Sequence, residues 1–566
     1  MFLTYRDIWC IYVGMHVVEN KSPSKKGKKI YQSVLLRESY RENGKVKKRT
    51  IANLSHCKPE EIAAIKVALK HKDDLSELGS LKESVTLQEG LSVGAIWTVY
   101  QTAKRVGIER VLGTHFSGKL AMWQVIARVI EQGSRLSAVR LAQVHAACDV
   151  LDIRRGFDEN DLYENLGWLS DNQQKIEKAL FSARRAKQKP EIFLYDVTSS
   201  YLEGTKNFFG EYGFNRDGKK GKQQIVIGLL CDEFGEPVST EVFAGNTQDP
   251  QTFASQVHKV AQRFGCKRVT FVGDRGMIKG PQIANLEEGF YYITAITKPQ
   301  ICSLMDQGII QIGLFDEDIC EIEDDAIRYI LRRNPVRVAQ INESRTDKRS
   351  SVEKLLKKKN TYLCEHPRAK VETAIKEVKE KIEKLKINKW LTVISHQRTL
   401  GLEVDNKALD EASLLDGCYV IKTDLPQEAA DKEIIHDRYK DLTEVERAFR
   451  TFKTELLEVR PVYVQTEKST RGHVLVVMLA YIIVRILRKA WQKFDLTVEE
   501  GLNQLTTLCS MEMKVKNQAS CLKIARPREK SRQLLKALDV RMPTVLPHRK
   551  VRVVTRKKLT ERRTKV

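Results

Sequence analysis

Residues 191–200 read EIFLYDVTSS, an apolar run that ends on Asp196 and passes into small hydroxyl-bearing residues. Such a run fits a strand buried in a sheet, with the carboxylate at or just past its end. Further β-rich runs lie at 224–231, 237–244, 268–272 and 291–297, and a helical pattern, PQTFASQVHKVAQRFG, separates the third run from the fourth. Three strands, a helix, then more strands predict an α+β or mixed α/β core. In it the last strands run parallel to the first through helical crossovers.

Asp274 follows a second apolar run, VTFVG, in the same way. Either acid alone reads as a turn or helix-capping residue. Together, at the ends of neighbouring parallel strands, their side chains fall within reach of a shared cation, which offsets the cost of placing ionised groups there. Two carboxylates plus a third from a nearby helix make an oxygen-rich set suited to Mg²⁺. Two such ions about 4 Å apart serve in-line phosphoryl transfer.

The stretch YKDLTEVERAFRTFK, residues 439–453, offers three acids for that third position. On a helical wheel with about 100° per residue, Leu442, Val445, Phe449 and Phe452 mark one buried face. Lys453, Glu446, Tyr439 and Arg450 form a polar stripe along its edge, whereas Glu444 and Glu455 fall on the far side, towards solvent. Glu446 is thus the acid best placed to reach inward, with bases above it able to hold phosphates. A competing reading makes Thr443 and Glu446 a capping box; with Asp441 as N-cap instead, Glu444 takes the capping role and Glu446 is left free.

The rest of the chain divides around this core. Residues 1–90 contain a hairpin over 30–54, turning at ENGK with a basic second strand, and a helix beginning near Pro59. Residues 91–186 are mostly helical and rich in exposed bases, which fits either a DNA-binding region or a solvated helical bundle. The core's first part spans 187–299, a charge-rich block with some strands of its own spans 300–412 as an insertion, and the second part of the core spans 413–490. Residues 491–566 end in HRKVRVVTRKKLTERRTKV, strongly basic and expected to be mobile. His473 reads as a buried or hydrogen-bonded histidine, and Asn246 and Asp249 as shaping a turn and helix start.

The 566 residues hold 97 Lys and Arg against 73 Asp and Glu, a formal net charge of +24. That excess favours a polyanionic partner, nucleic acid before a membrane surface. The 11 cysteines show no CxxC and no zinc-finger spacing, so neither a disulfide framework nor a structural zinc is indicated, and a reducing cytoplasm is the natural setting. Arg6 and Asp7 interrupt the apolar N-terminus, which argues against a signal peptide. The longest apolar run, Val474 to Val484, is shorter than the roughly 20 residues a bilayer needs and reads as a buried helix.

Tyr439, two residues, Leu442, three residues, Glu446, six residues and Lys453 resemble the YREK signature of bacterial DDE transposases in the insertion-sequence 4 superfamily, with Leu442 where the signature has Arg. YDVTSS is similar to the family's first-Asp motif and FVGDRGM to its second. LLRESYRENGKVKKRTIANL and RGHVLVVMLAYIIVRIL point to the insertion-sequence 1634-like branch. The resemblance implies an RNase H-like, retroviral integrase-like catalytic core, with the 300–412 insertion between the second Asp and the Glu and a helical DNA-binding region before it. It implies that Asp196, Asp274 and Glu446 are catalytic and bind two Mg²⁺ ions, Mn²⁺ being a substitute.

It further implies that Tyr439, Lys453 and Arg275 contact phosphates of the transposon end; Leu442 leaves the remaining signature contact unfilled, and Arg450, one position along the polar stripe, is the candidate to substitute for it. The partners implied are double-stranded DNA, as transposon ends and target, and a second copy of the chain as a homodimer on paired ends; no membrane is involved. The activity implied is cleavage and strand transfer in the bacterial cytoplasm. A metal-dependent nuclease on the same core, or a non-catalytic DNA-binding derivative, are the rivals; the survival of all three acids argues against the latter.

Overall fold

The computed structural model describes residues 14–23, 30–72, 85–185, 190–284, 286–454, 456–460, 462–515 and 521–556. The N-terminal apolar stretch, Glu455 and the last ten residues of the basic tail lie outside these.

The chain forms two units, one of residues 1–89 with 511–523 and one of 90–510 with 524–566. In the first, the hairpin is present as strands Ile30–Glu42 and Lys45–Asn53. Its turn residues Asn43 and Gly44 both have positive φ, 49° and 79°, as a tight two-residue hairpin requires. Strand Gly14–Pro23, which the sequence pattern does not announce, pairs antiparallel on its other side. A helix follows at Pro59–Lys70.

The second unit is built on one eight-stranded sheet. Its strands are β1 Ile192–Tyr201, β2 Gln224–Asp232, β3 Pro237–Ala244, β4 Val269–Gly273, β5 Phe290–Ala295, β6 Cys320–Asp324, β7 Ile327–Arg333 and β8 Cys418–Thr423. Their spatial order is β6-β7-β8-β5-β4-β1-β2-β3. β1, β2 and β3 form an antiparallel meander, while β4 and β5 run parallel to β1, as expected.

β8 pairs antiparallel to β5. One expectation is corrected: β6 and β7, from within the charge-rich block, extend the same sheet instead of belonging to a separate body. The earlier part of that block, including Ile301, Phe315 and Leu331, packs in a cluster with Cys418 and Val420 of β8, whereas the later part has a core of its own. There helices Pro335–Glu365 and Val371–Lys384 pack with the hairpin Leu391–His396/Thr399–Val404 around Val378, Trp390 and Leu391.

Alternation along β1 explains its packing. Phe193, Tyr195 and Val197 point into a core shared with Phe253, Phe271 and Tyr292. The opposite set, which includes Asp196, faces the other side of the sheet. Five helices matter below: α1 Glu159–Arg185, α2 Asp249–His258, α3 Lys432–Lys440, α4 Leu442–Lys453 and α5 Glu467–Trp491.

α5 is the apolar run read as a buried helix, and every residue from Val474 to Val484 is buried. Thr466 caps it, accepting from the Ser469 N–H, and Arg488 and Lys489 sit in its last turn, where they favour the helix dipole. It packs on α1, on helix Phe116–Ile130 and on β3, so the helical region and the sheet share it. At Gly472 a Cβ would stand 2.1 Å from the Leu166 carbonyl oxygen of α1, so only glycine permits that approach. His473 is buried and its Nε2 bonds the Val459 carbonyl, as expected. Among the described residues no helix is long and apolar enough to cross a membrane, and no disulfide forms.

Candidate active site

Asp196 lies in the middle of β1 rather than at its end, still paired with Leu229 of β2. What ends there is the parallel pairing: Tyr195 is opposite Gly273, and the next residues on the two strands are Asp196 and Asp274. Strands so paired are about 4.8 Å apart, so the two acids start from adjacent positions. Asp274 is exposed in the turn after β4.

One oxygen of each acid is occupied. Asp196 Oδ1 accepts from the Val197 N–H at 2.7 Å. Asp274 Oδ1 accepts from the Arg275 N–H at 2.8 Å and from the Tyr439 hydroxyl at 3.4 Å. The second oxygen of each accepts no hydrogen bond among the described residues. Part of Asp196 still meets solvent, yet burial of the carboxyl pushes it up to about 7. The Val197 N–H and Arg216 oppose that rise, and the charges of Asp274 and Asp249 reinforce it.

The stretch 439–453 is not one helix. It breaks at Asp441, so Tyr439 lies in the last turn of α3 while Glu446, Arg450 and Lys453 belong to α4, and a single wheel cannot carry all four. The capping question is also answered. Asp441 is the N-cap but makes no side-chain capping bond, and the Glu446 carboxylate accepts no hydrogen bond and joins no ion pair among the described residues. Glu444 is not simply a solvent-facing acid. It packs against Gly235 of the β2–β3 turn and pairs with Arg447 at 2.6 Å.

α4 packs on β1, burying Leu442, Val445, Phe449 and Phe452 and leaving Glu446 and Arg450 exposed. Burial first, then the Asp274 and Glu446 charges, push the Tyr439 hydroxyl above its usual range, against Arg275, so it remains a protonated donor. Tyr439, Asp274, Arg275 and Glu446 are therefore electrostatic neighbours.

Lys453 stands elsewhere. Its Nζ donates to Asp217 Oδ1 at 2.8 Å near the end of β1, where Asp217 also accepts from Arg460 and from the Tyr201 N–H at 3.0 Å. Lys453 and Arg460 line an open cleft of about 960 Å³ there. Asp249 begins α2 as expected, but it does more than start a helix: it pairs at 2.7 Å with Arg216, which also bonds the Val197 carbonyl beside Asp196. Arg216 and Asp217 sit in the loop segment NRDGKKGK, whose mixture of Gly and bases reads as solvated and gives no sign of these contacts.

The donor chemistry fits a hard divalent cation. Two adjacent carboxylates each keep an oxygen without a protein partner, a third carboxylate is uncommitted on the neighbouring helix, and burial, reinforced by the Asp274 and Asp249 charges, makes a charge at Asp196 costly. The set is not closed: among the described residues no group of three or more His, Cys, Asp or Glu is close enough, as placed, to hold a metal.

A model of the transposase DDE domain matches residues 187–483, and one of the IS1634 family transposase N-terminal domain matches residues 20–82. The chain belongs to the IS1634 family of DDE transposases. The transposase is thus a DNA-cleaving enzyme, of a domain type that generally depends on divalent metal. Among solved structures it is similar to a piggyBac transposase synaptic complex with hairpin DNA, at 9% identity and a TM-score of 0.32, over 78% of this chain and 75% of that one. No curated protein matches it.

Proposed function

We propose that this transposase binds the terminal inverted repeats of an insertion sequence and performs Mg²⁺-dependent cleavage and strand transfer, with Asp196, Asp274 and Glu446 as catalytic metal ligands. The observation that carries this reading is the adjacency of Asp196 and Asp274 on parallel strands, each with an uncommitted oxygen. Two Mg²⁺ ions, when bound, supply Lewis acidity to an in-line displacement at phosphorus, and Mn²⁺ serves in their place.

Water attacks the phosphodiester at the element's end, leaving a 3′-OH on the element and a 5′-phosphate on the flank; the 3′-OH then attacks a target phosphodiester. Tyr439 holds Asp274 by its hydroxyl. Tyr439, Arg275, Arg450 and Lys453 contact end phosphates. Leu442 is buried and offers no such contact, whereas Arg450 is exposed one turn beyond Glu446 on the same face of α4.

The core is RNase H-like, with the separately packed helices and hairpin after β7 as its insertion. The basic hairpin and the helices of 91–186 recognise terminal sequence, and a homodimer pairs two ends in the bacterial cytoplasm.

The test is Mg²⁺-dependent nicking of a duplex bearing the inverted repeats that flank the gene. Asp196→Asn, Asp274→Asn and Glu446→Gln each abolish nicking while end binding persists; activity surviving in one removes that residue from the set. Joining of the cut 3′ end to a target duplex distinguishes a transposase from a nuclease on the same core.

A further inference from the structure

Away from the acids, two arginines are buried without a counter-ion. Arg128, on helix Phe116–Ile130, and Arg135, first residue of helix Arg135–Val144, are each only 5% exposed. Neither pairs with a carboxylate among the described residues. Arg128 donates to the Gly133 carbonyl at 2.8 Å and the Leu457 carbonyl at 3.4 Å, and its Nε has no partner. Arg135 donates through Nη1 to Gln124, and its remaining nitrogens bond no described protein atom. The acid nearest in effect, Glu458, is exposed and forms no ion pair among the described residues.

Both guanidinium groups line one cavity of about 390 Å³, with Tyr163, Arg460, His473 and the exposed Glu458, its one carboxylate, also on its wall. Burial, and then the Arg135 charge, disfavour the charged form of Arg128, and burial followed by both arginines pushes His473 well below its usual range. Removing a guanidinium from water without an anion is costly, and arginine does not escape that cost by losing its proton. The cavity also meets the N-terminal end of helix Arg135–Val144, where Ser134 caps the Ser137 N–H and the helix dipole favours an anion. Phosphate oxygens match the fork of guanidinium donors.

We propose that this cavity is a phosphate-binding site, in which Arg128 and Arg135 together grip one phosphate group. It stands apart from the carboxylates and does not depend on the function proposed for them. The phosphate belongs either to a DNA strand terminus or to a free small molecule, and the two are separable.

Inorganic phosphate at about tenfold excess over its dissociation constant, at constant ionic strength against chloride, raises the melting temperature of the full chain. The shift disappears in Arg135→Met, which keeps the side chain's bulk. Equal shifts in both proteins, or none in either, overturn the proposal. Because that variant can fail to fold, the second measurement uses the wild-type chain: anomalous scattering from tungstate, a tetrahedral oxyanion, places it between Arg128 and Arg135, and density only elsewhere overturns the site. A 5′-phosphorylated oligonucleotide that displaces phosphate at least tenfold better than its 5′-hydroxyl twin assigns the site to a strand terminus; equal displacement assigns it to a free phosphate compound.

Discussion

Asp196 and Asp217 are both carboxylates held near the first strand of the sheet, and their surroundings are opposite. Asp217, with a side chain 1% exposed, is saturated by the Lys453 ammonium, the Arg460 guanidinium and the Tyr201 N–H. Asp196 receives one N–H from the next residue, faces a second acid, and has its nearest guanidinium, Arg216, already paired with Asp249. A saturated carboxylate anchors structure. An unsaturated one, crowded and beside its like, stores an electrostatic cost that a bound cation relieves, and such sites are where function concentrates.

Substitutions separate the two roles. The largest effect is expected from Asp196→Asn, which lowers end cleavage by about a thousandfold, the loss of about 4 kcal/mol of transition-state stabilisation. Its melting temperature without metal stays level or rises, since an amide removes a charge that burial makes costly; a quantitative nicking assay beside a thermal melt reads both. Asp217→Asn leaves Lys453 and Arg460 facing each other without an anion. Breaking such a pair costs about 2–3 kcal/mol after discounting for the partly exposed Arg460. The melting temperature falls and metal binding is retained, as denaturation and metal titration on one sample reveal.

Smaller effects refine the picture. Tyr439→Phe removes both the long bond to Asp274 and the hydroxyl's contact with an end phosphate, so cleavage falls by about tenfold, about 1 kcal/mol, and end binding weakens modestly. Arg450→Ala weakens end binding and lowers the salt dependence of that binding by about one unit of slope, the signature of one lost phosphate contact. Unchanged binding and strand transfer in Arg450→Ala make Arg450 irrelevant to the ends.

The parts of this arrangement that sequence makes legible are the local ones. Apolar runs place the strands of 192–201 and 269–273 to within a few residues, because a strand buried on both faces leaves a continuous apolar signature. The buried helix at 467–491 is legible for the same reason. The break at Asp441 is not, because its φ of −62° and ψ of −15° are close to helical and no Gly or Pro marks it. The joining of β6 and β7 to the sheet is hidden because their partner, β8, comes 85 residues later for the pair Arg333 and Cys418. Asp217 is hidden because its two cations come from over 200 positions away, and the loop that carries it reads as solvated.

The most direct test counts Mn²⁺ bound to the metal-free transposase by electron paramagnetic resonance, in the wild type, Asp196→Asn and Asp217→Asn. The account predicts that Asp196→Asn loses the bound ion and that Asp217→Asn keeps it. Binding retained in Asp196→Asn, or lost in Asp217→Asn while that variant is still folded, contradicts it.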